Sequence, residues 1–325
     1  MLLDAGTFIA GLVALYFGAE WLVRGAARLA RALGISGIVV GLTIVAFGTS
    51  APELVVTTLA ALRGQPDVAV GNVVGSNIVN IALILGLSAA VSAVRVQPGL
   101  IMREMPIMIG TAVALVVLGY DGTISRLDAG LLLAAFIAFL LYMYHTARRG
   151  EPTPALETEF EEFEEKSGIR SGVPGRGRDL LLIAVGLVGL VLGAELLVRS
   201  AVSFARAAGV SELVIGLTIV SIGTSLPELA TSVVAALRRE TDIAVGNVVG
   251  SNIFNVLAVL GIAPLIHPIA VDRSLYEREM WVMLALSFAL PVICRTGMRI
   301  ARIEGFFLVA GYVAFVWMLV AGAGG

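Results

Sequence analysis

Long apolar stretches recur along this 325-residue chain, and short polar connections separate them. A helix rises about 1.5 Å per residue, so about 20 apolar residues cover a hydrocarbon core roughly 30 Å thick. The stretches lack the alternation of apolar and polar positions that is typical of membrane strands. The pattern therefore predicts an all-α integral membrane protein with ten transmembrane helices. The predicted spans are residues 3–23, 37–62, 68–94, 105–119, 127–144, 180–198, 213–237, 243–266, 280–294 and 303–320.

The composition supports a membrane environment for most of the chain. Hydrophobic residues make up 58% and charged residues only 14%, which leaves more apolar surface than a soluble core of this length can bury. The stretch 147–179 is different, because it holds the acidic run EPTPALETEFEEFEEKSG. A block of like charge is typically a solvated linker. We therefore predict a first transmembrane repeat at 1–146, a cytoplasmic acidic linker at 147–179 and a second repeat at 180–325.

Two sequence blocks occur twice, each time 175 residues apart. GLTIVAFGTSAPEL at 41–54 returns as GLTIVSIGTSLPEL at 216–229, and VGNVVGSNIVN at 70–80 returns as VGNVVGSNIFN at 245–255. The chain is thus a duplicated unit of five predicted helices. Since five is an odd number, the second copy enters the membrane in the opposite sense. This predicts two inverted five-helix repeats, an architecture common among secondary transporters.

The positive residues are distributed unevenly between the predicted loops. If both termini face outward, 16 of the 22 lysines and arginines fall on the cytoplasmic side and six fall outside. Cytoplasmic loops of membrane proteins carry this excess of positive charge. We therefore expect a multi-pass protein of the cell membrane with both termini outside and the central loop in the cytoplasm.

Four glutamates occupy equivalent places in the two halves. Glu20 and Glu195 each have an arginine four residues later, which predicts local ion pairs near helix ends. Glu53 and Glu228 lie deep in predicted spans, where a carboxylate costs about 2.5–3.5 kcal/mol by insertion scales. Neighbouring apolar stretches hold no lysine or arginine to neutralise them. A bound cation is therefore the expected partner of these two carboxylates.

The residues around both deep glutamates favour broken helices that line an ion site. Each glutamate follows a Gly-Thr-Ser-x-Pro sequence, which combines a flexible residue with one that lacks a backbone donor. A break frees main-chain carbonyls, which can coordinate an ion where the backbone is shielded from lipid. The glycines of the two GNVVGSN blocks are spaced four apart, as expected of closely packed membrane helices.

The candidate ligand atoms around this site are all oxygens. Carboxylates, hydroxyls, amides and carbonyls suit hard ions such as Ca²⁺ or Na⁺, and the absence of thiolate and imidazole argues against zinc, copper or iron. The side chains concerned are those of Thr49, Ser50, Glu53, Ser76, Asn77, Asn80, Thr224, Ser225, Glu228, Ser251, Asn252 and Asn255.

The paired motifs GTSAPEL with GNVVGSNIVN, and GTSLPEL with GNVVGSNIFN, resemble the two alpha-repeats of the sodium/calcium exchanger family. This family belongs to the cation/calcium antiporter superfamily, and the likeness, to its prokaryotic type, covers both transmembrane halves. The resemblance implies ten helices, an outward N-terminus and exchange of several Na⁺ for one Ca²⁺ by alternating access. It places the ion ligands at Ala46 and Ser221, through their carbonyls, and at Thr49, Ser50, Glu53, Ser76, Asn80, Thr224, Ser225, Glu228, Ser251 and Asn255.

One position departs from several prokaryotic and potassium-dependent members that resemble this chain. They have aspartate where this chain has Asn255, and an amide cannot ionise, so the predicted site holds two formal negative charges. Two charges balance one Ca²⁺, whereas three Na⁺ would leave a net positive charge. The resemblance thus implies electrogenic exchange that does not depend on K⁺. Our hypothesis is that Glu53 and Glu228 bind Ca²⁺ and Na⁺ in alternation, and that their occupancy lets the first and sixth spans slide across the rest of the molecule.

These expectations describe a carrier rather than an enzyme, without a prosthetic group. Its predicted partners are Ca²⁺, Na⁺ and the lipid bilayer, with no nucleic acid and no obligate protein partner. A Ca²⁺/H⁺ antiporter, in which the glutamates carry protons, is the alternative within the same class. A cation channel would need a continuous pore, usually built from symmetry-related chains, and a structural scaffold would not explain two buried acids.

Overall fold

A computed structural model describes residues 2–149, 176–207, 221–276 and 278–322, and nearly all of them are helical. Most helix boundaries coincide with the ends of apolar stretches or with glycine and proline. The described residues also form four β-strands of two residues each, at Val94–Arg95 (β1), Thr123–Ile124 (β2), Ile269–Ala270 (β3) and Arg299–Ile300 (β4). The helices are α1 Leu2–Leu33, α2 Gly37–Thr49, α3 Ala51–Leu62, α4 Pro66–Val91, α5 Leu100–Asp121, α6 Arg126–Arg149, α7 Arg176–Ala207, α8 Ser221–Thr224, α9 Leu226–Leu237, α10 Thr241–Ile266, α11 Glu279–Arg295 and α12 Arg302–Gly322.

Seven helices of the described residues are long and apolar enough to cross a membrane: α1, α4, α5, α6, α7, α10 and α12. The bent pair α2 and α3 provides an eighth span when it is counted as one. The predicted span at 280–294 corresponds to α11, which has 17 residues. The predicted span at 213–237 is described only in its second part, by α8 and α9, because residues 208–220 lie outside the described ranges. The full count of ten remains a prediction.

Several helices continue past the ends of the predicted spans. The first predicted span ends at residue 23, but α1 continues to Leu33, and Gly34 follows with φ of +65°. The extension is rich in alanine, leucine and arginine, which favour helix whether or not lipid surrounds them. Helices α6 and α7 also include residues 147–149 and 176–179 of the predicted linker, whose remaining residues lie outside the described ranges.

Two short antiparallel ribbons join the two halves of the chain. Strand β1 pairs with β4, with Val94 opposite Ile300, and β2 pairs with β3, with Ile124 opposite Ile269. Each ribbon therefore combines a connection of the first half with a connection of the second. The apolar pattern did not predict these strands, because two residues are too few to show an alternation.

Helices α1 and α7 form an antiparallel pair with a very short distance between their backbones. Gly11 of α1 lies against Gly193 of α7, and Gly18 lies against Gly186. A Cβ atom added at Gly18 would lie 2.7 Å from the backbone nitrogen of Leu190. Small residues allow membrane helices to approach this closely.

The glycines of the second GNVVGSN block pack as predicted. A Cβ at Gly250 of α10 would lie 2.7 Å from the Cα atom of Leu42 in α2, and one at Gly246 would lie 3.0 Å from the carbonyl oxygen of Ile38. In the first block, a Cβ at Gly71 would meet no described atom within 4 Å. The packing role is thus confirmed for the second copy only.

The apolar core has two parts. A large cluster surrounds α4 and α10, whose most apolar windows are 72% and 83% buried, compared with 22% in α6 and α12. A smaller cluster joins α1 and α7 to α2, α9 and α10, through residues such as Leu22, Leu190 and Val40. Helices α4 and α10 therefore form the centre of the molecule, and the α1–α7 pair packs on it through a separate apolar contact.

Candidate ion-binding site

The predicted helix breaks occur in both halves. Helix α2 ends at Thr49 and α3 begins at Ala51, with their axes bent by 44° at Ser50. In the second half, Ser225 separates α8 from α9 with nearly the same backbone conformation, φ −92° and ψ 9° compared with −85° and 7° at Ser50. A proline in the first turn after each break has no N–H to donate to the carbonyl four residues earlier. The breaks therefore follow from the repeated Ser-x-Pro sequence.

The two deep glutamates meet through hydroxyl groups of the opposite half. Glu53 and Glu228 are each only 1% exposed, in the first turns of α3 and α9. Ser50 Oγ donates to Glu228 Oε1 at 2.9 Å, and Ser225 Oγ donates to Glu53 Oε1 at 3.1 Å. Ser76 Oγ of α4 lies 3.4 Å from Ser225 Oγ. The fold thus brings both carboxylates to one buried site, and the described ion pairs include neither of them.

Asn80 and Asn255 are close to this site on α4 and α10. Both side chains are buried, at 1% and 0% exposure, and both lie in π-helical turns, Val79–Leu85 and Asn255–Val259. Such widened turns occur frequently at functional sites, since they change the direction of a side chain relative to a regular helix. Each amide NH₂ is hydrogen-bonded to an asparagine of the other half.

Five buried oxygens of predicted ligand residues have no hydrogen-bond partner in the described part of the chain. A buried acceptor without a donor or a cation is costly. Four of the five are acceptors only, since they belong to carboxylates or to amide carbonyls. An oxygen set of this kind suits Ca²⁺ and Na⁺. The five atoms are Glu53 Oε2, Glu228 Oε2, Asn80 Oδ1, Asn255 Oδ1 and Ser251 Oγ.

The other predicted ligand residues differ in how they join this network. Thr49 Oγ1 lies 3.1 Å from Asn247 Oδ1, and Thr224 Oγ1 lies 3.5 Å from Asn72 Oδ1. The carbonyl of Ala46 accepts the Ser50 N–H at 3.0 Å, so the break does not free it from helical hydrogen bonding. Ser221 is the first residue of α8.

The candidate ion-ligand residues include few ionisable groups. Among the described residues, no three or more His, Cys, Asp or Glu side chains form a group that could hold a metal ion. The site instead combines two carboxylates with hydroxyl and amide oxygens.

Comparison with known proteins identifies the family. The family model described as "Sodium/calcium exchanger protein" matches residues 3–145 and 179–321. This chain belongs to the sodium/calcium exchanger family. The resemblance inferred from the two pairs of motifs is therefore confirmed.

Individual relatives match this family member along nearly its whole length. Sodium/calcium exchanger MaX1 of Methanosarcina acetivorans is 33% identical over 95% of this chain and 96% of its own length. Putative antiporter CaxA of Alkalimonas amylolytica is 40% identical over 96% of this chain and 97% of its own. A solved structure of the sodium-calcium exchanger NCX_Mj, soaked with Na⁺ and Sr²⁺, has a TM-score of 0.82 and 33% identity, covering 96% of this chain and 97% of that one.

Two asparagines that hydrogen-bond to the backbone carbonyls of the glutamates in this exchanger-family site were not predicted from the sequence. Asn72 Nδ2 lies 3.4 Å from the Glu53 carbonyl and 3.0 Å from Thr57 Oγ1. Asn247 makes the equivalent contacts, 3.4 Å to the Glu228 carbonyl and 3.0 Å to Ser232 Oγ. Both asparagines lie in the repeated GNVVGSN blocks, so the repeat itself was a signal that could have identified them.

The contacts of the site are reciprocal between the halves. Each of the hydrogen bonds made by Ser50, Asn72, Asn77 and Asn80 has a counterpart in which donor and acceptor are both replaced by the equivalent residues of the other half, 175 positions away. The offset equals that of the sequence blocks. The two copies of this family motif therefore build one site from both halves rather than two separate sites.

The predicted local ion pairs of α1 and α7 are confirmed, but they do not lie at helix ends, because the helices continue to Leu33 and Ala207. Glu20 pairs with Arg24, and Glu195 pairs with Arg199 at 2.5 Å. Glu20 makes a second pair that spacing along the helix did not predict, with Arg238 after α9 at 2.5 Å. Glu20 therefore connects α1 to the α9–α10 connection, in addition to its local pair.

Proposed function

We propose that this protein is a secondary antiporter that exchanges Na⁺ for Ca²⁺ across the membrane by alternating access. The observation that carries the proposal is the buried site at which Glu53 and Glu228 meet, beside amide and hydroxyl oxygens that have no hydrogen-bond partner among the described residues. Membership of the sodium/calcium exchanger family and the near full-length likeness to named exchangers support it.

The proposed ion ligands are the residues expected from the motifs. Side-chain oxygens would supply most of the six to eight contacts that Ca²⁺ takes. Na⁺ is also a hard ion and would use the same oxygen set in alternation with Ca²⁺. The set comprises Thr49, Ser50, Glu53, Ser76, Asn80, Thr224, Ser225, Glu228, Ser251 and Asn255, with the carbonyls of Ala46 and Ser221.

The charge of this site favours electrogenic exchange. Glu53 and Glu228 contribute two negative charges, and the amide of Asn255 contributes none. A site of charge −2 is neutral with one Ca²⁺ and positive with three Na⁺, so each cycle would move net charge. A membrane potential acts on such a cycle with about 2.3 kcal/mol per charge per 100 mV. We propose that K⁺ is not required, because the site lacks a third carboxylate.

The proposed architecture is a ten-helix protein of the cell membrane, made of two inverted repeats with both termini outside. The reciprocal contacts of the two halves support an inverted relation. The α1–α7 pair, with its own apolar contact to the rest, is the element that we propose moves. Its motion would expose the central site to one side of the membrane and then to the other.

Transport by the purified protein in liposomes tests the function. We expect ⁴⁵Ca²⁺ uptake into Na⁺-loaded vesicles to be abolished, or reduced by more than about tenfold, in the variants Glu53→Gln and Glu228→Gln, because each loses a charged ligand. Glu279→Gln is the matched control, since Glu279 is the first residue of α11 and is not among the proposed ion ligands. Uptake at the wild-type level in both site variants would contradict the ligand assignment.

Gradients imposed one at a time distinguish the exchange modes. We expect an outward Na⁺ gradient to drive uptake and a K⁺ gradient to have no effect. We expect an inside-positive potential to increase uptake, because three Na⁺ leave for each Ca²⁺ that enters and one net positive charge moves outward. Uptake driven by a proton gradient without Na⁺ would support a Ca²⁺/H⁺ antiporter instead. Flux that does not saturate and needs no counter-ion would indicate a channel.

A further inference from the structure

Four buried asparagines of α4 and α10 form two hydrogen-bonded pairs across the halves. Asn255 Nδ2 donates to Asn77 Oδ1 at 3.1 Å, and Asn80 Nδ2 donates to Asn252 Oδ1 at 3.2 Å. None of the four is more than 3% exposed. Asn255 and Asn80 belong to the proposed ligand set, whereas Asn77 and Asn252 do not. Each pair thus joins a proposed ligand to a residue behind it.

In each asparagine pair, a methionine sulfur determines how the amide groups are oriented. Asn77 Nδ2 faces the sulfur of Met283 at 3.8 Å, and Asn252 Nδ2 faces the sulfur of Met108 at 3.6 Å. A thioether sulfur accepts hydrogen bonds and cannot donate, so it favours the NH₂ end of the neighbouring amide. The oxygen of Asn77 therefore points the other way, to Asn255.

The orientation then passes to the ligand amide. Because Asn77 presents an acceptor, Asn255 turns its NH₂ to Asn77, and its own oxygen is left as the free end. The same sequence runs from Met108 through Asn252 to Asn80. Asn80 Oδ1 and Asn255 Oδ1 are the two amide oxygens that are buried without a hydrogen-bond partner among the described residues.

We infer that Asn77 and Asn252 are positioning residues, which set the amide orientation of Asn255 and Asn80 so that oxygen rather than NH₂ faces the transported cation. The inference rests on the proposed function. A flipped amide would present two N–H donors to the ion and repel it. A carboxylate at the same place would need no such control, because both of its oxygens are acceptors.

A role limited to packing makes a different prediction. Asparagines also join membrane helices through hydrogen bonds, and replacing them would then lower stability without regard to the chemistry of the ligand. The two roles separate when the ligand amide is replaced by a carboxylate. A positioning defect is relieved by this change, and a packing defect is not.

The experiment is a double-mutant cycle on Asn77 and Asn255. We expect Asn77→Leu to raise the Ca²⁺ concentration for half-maximal uptake by about tenfold, in the range typical of lost support behind a metal ligand. Adding Asn255→Asp to Asn77→Leu should restore most of the affinity. In the wild-type background Asn255→Asp should increase the apparent Ca²⁺ affinity less, because its carboxylate would face the acceptor oxygen of Asn77. The cycle removes the effect of the added charge, which is present in both backgrounds.

The second half provides a replicate, and a cross pair provides the control. Asn252→Leu combined with Asn80→Asp should show coupling of the same sign. Asn77→Leu combined with Asn80→Asp joins residues that do not hydrogen-bond, and its effects should be additive. Equal effects of Asn255→Asp with and without Asn77→Leu would overturn the inference and leave Asn77 as a packing residue. Where Asn77→Leu does not fold, Asn77→Ala carries the same comparison.

A binding measurement separates this inference from the proposed function. The Ca²⁺ concentration that gives half of the thermal stabilisation of the purified protein can be measured for every variant without transport. If the wild-type protein binds Ca²⁺ but shows no Na⁺-driven uptake, the proposed exchange is contradicted. The double-mutant cycle can then still be evaluated from the Ca²⁺ binding of each variant. Coupling of the expected sign in binding would support the positioning role in that case, and additive effects would overturn it.

Discussion

At the scale of single residues, the site depends on hydrogen bonds that cross between the halves. Neither carboxylate takes its hydroxyl donor from its own copy of the motif. Glu53 accepts from Ser225, and Glu228 accepts from Ser50. A change at either serine therefore acts on the glutamate of the other repeat.

We expect Ser50→Ala and Ser225→Ala to weaken Ca²⁺ binding to a similar degree. Each removes a hydrogen bond to a charged group, which is worth about 1.5–3 kcal/mol, or about tenfold or more in apparent affinity. Ser88→Ala is the control, since Ser88 is a fully buried serine of α4 whose hydroxyl has no partner among the described residues. Titration of ⁴⁵Ca²⁺ uptake measures the effect. A loss confined to one of the two serine variants would contradict the reciprocal arrangement.

The residues of the site were predictable to the extent that the sequence repeats them. Glu53 and Glu228 were identified because charge is costly in an apolar stretch and because it occurs twice. Asn72 and Asn247 were missed, although they also repeat, because the amide of an asparagine carries no charge that demands a partner. Met108 and Met283 could not be found, since a methionine in an apolar span is indistinguishable from a core residue.

At the scale of helices, the break and the glycine contacts decide the arrangement. The Ser-x-Pro sequence predicted the break between α2 and α3, because proline removes a donor at a fixed place. The predicted end of the first span lies ten residues before the end of α1, since hydropathy reports the lipid boundary and not the helix end. The close approach of α1 to α7 was not predicted, because glycines in a single sequence do not reveal which helix they face.

Alanine substitutions in α1 should have opposite effects on stability at two glycines. Gly18→Ala should lower the thermal unfolding midpoint, because its Cβ would lie 2.7 Å from a backbone atom of α7 and the helices must separate. Overpacking of this kind costs about 1–3 kcal/mol. Gly6→Ala should leave the midpoint unchanged or raise it, since its Cβ would meet no described atom within 4 Å and alanine favours helix by about 1 kcal/mol.

Differential scanning calorimetry of the purified variants in detergent measures these unfolding midpoints. The comparison is controlled internally, because both glycines lie in the same helix and both changes add one methyl group. Equal midpoints for the two variants would show that the α1–α7 pair adapts without cost, which would contradict a rigid pair.

At the scale of the whole molecule, the two repeated glutamates of the α1–α7 pair are not in equivalent surroundings. Glu20 is 4% exposed and is bonded to Arg238 by two contacts, 2.5 and 2.9 Å. In the other half, the side chain of Glu195 is 55% exposed and pairs with Arg199. Arg63, the counterpart of Arg238, makes no ion pair within the part of the chain that the structure describes. Glu20 thus joins the α1–α7 pair to the α9–α10 connection, whereas no ion pair of the described residues joins Glu195 to the α3–α4 connection.

This asymmetry leads to a prediction about the transport cycle. If inverted repeats exchange conformations during alternating access, the Glu20–Arg238 pair should break in the opposite state and a Glu195–Arg63 pair should form. Cysteine pairs test this in a Cys294→Ser background, because Cys294 is the only native cysteine. We expect Glu20→Cys with Arg238→Cys to form a disulfide readily in the absence of ions, and Glu195→Cys with Arg63→Cys to form one mainly during turnover with Na⁺ and Ca²⁺.

Either disulfide should stop ⁴⁵Ca²⁺ uptake, and reduction should restore it, because each would hold the α1–α7 pair in one of the two states that the cycle needs. The single-cysteine variants are the controls, since they remove the same charges without a cross-link. Failure of the second pair to cross-link during active exchange would contradict a symmetrical motion. The site would then reach the two sides by a rearrangement in which the halves do not exchange roles.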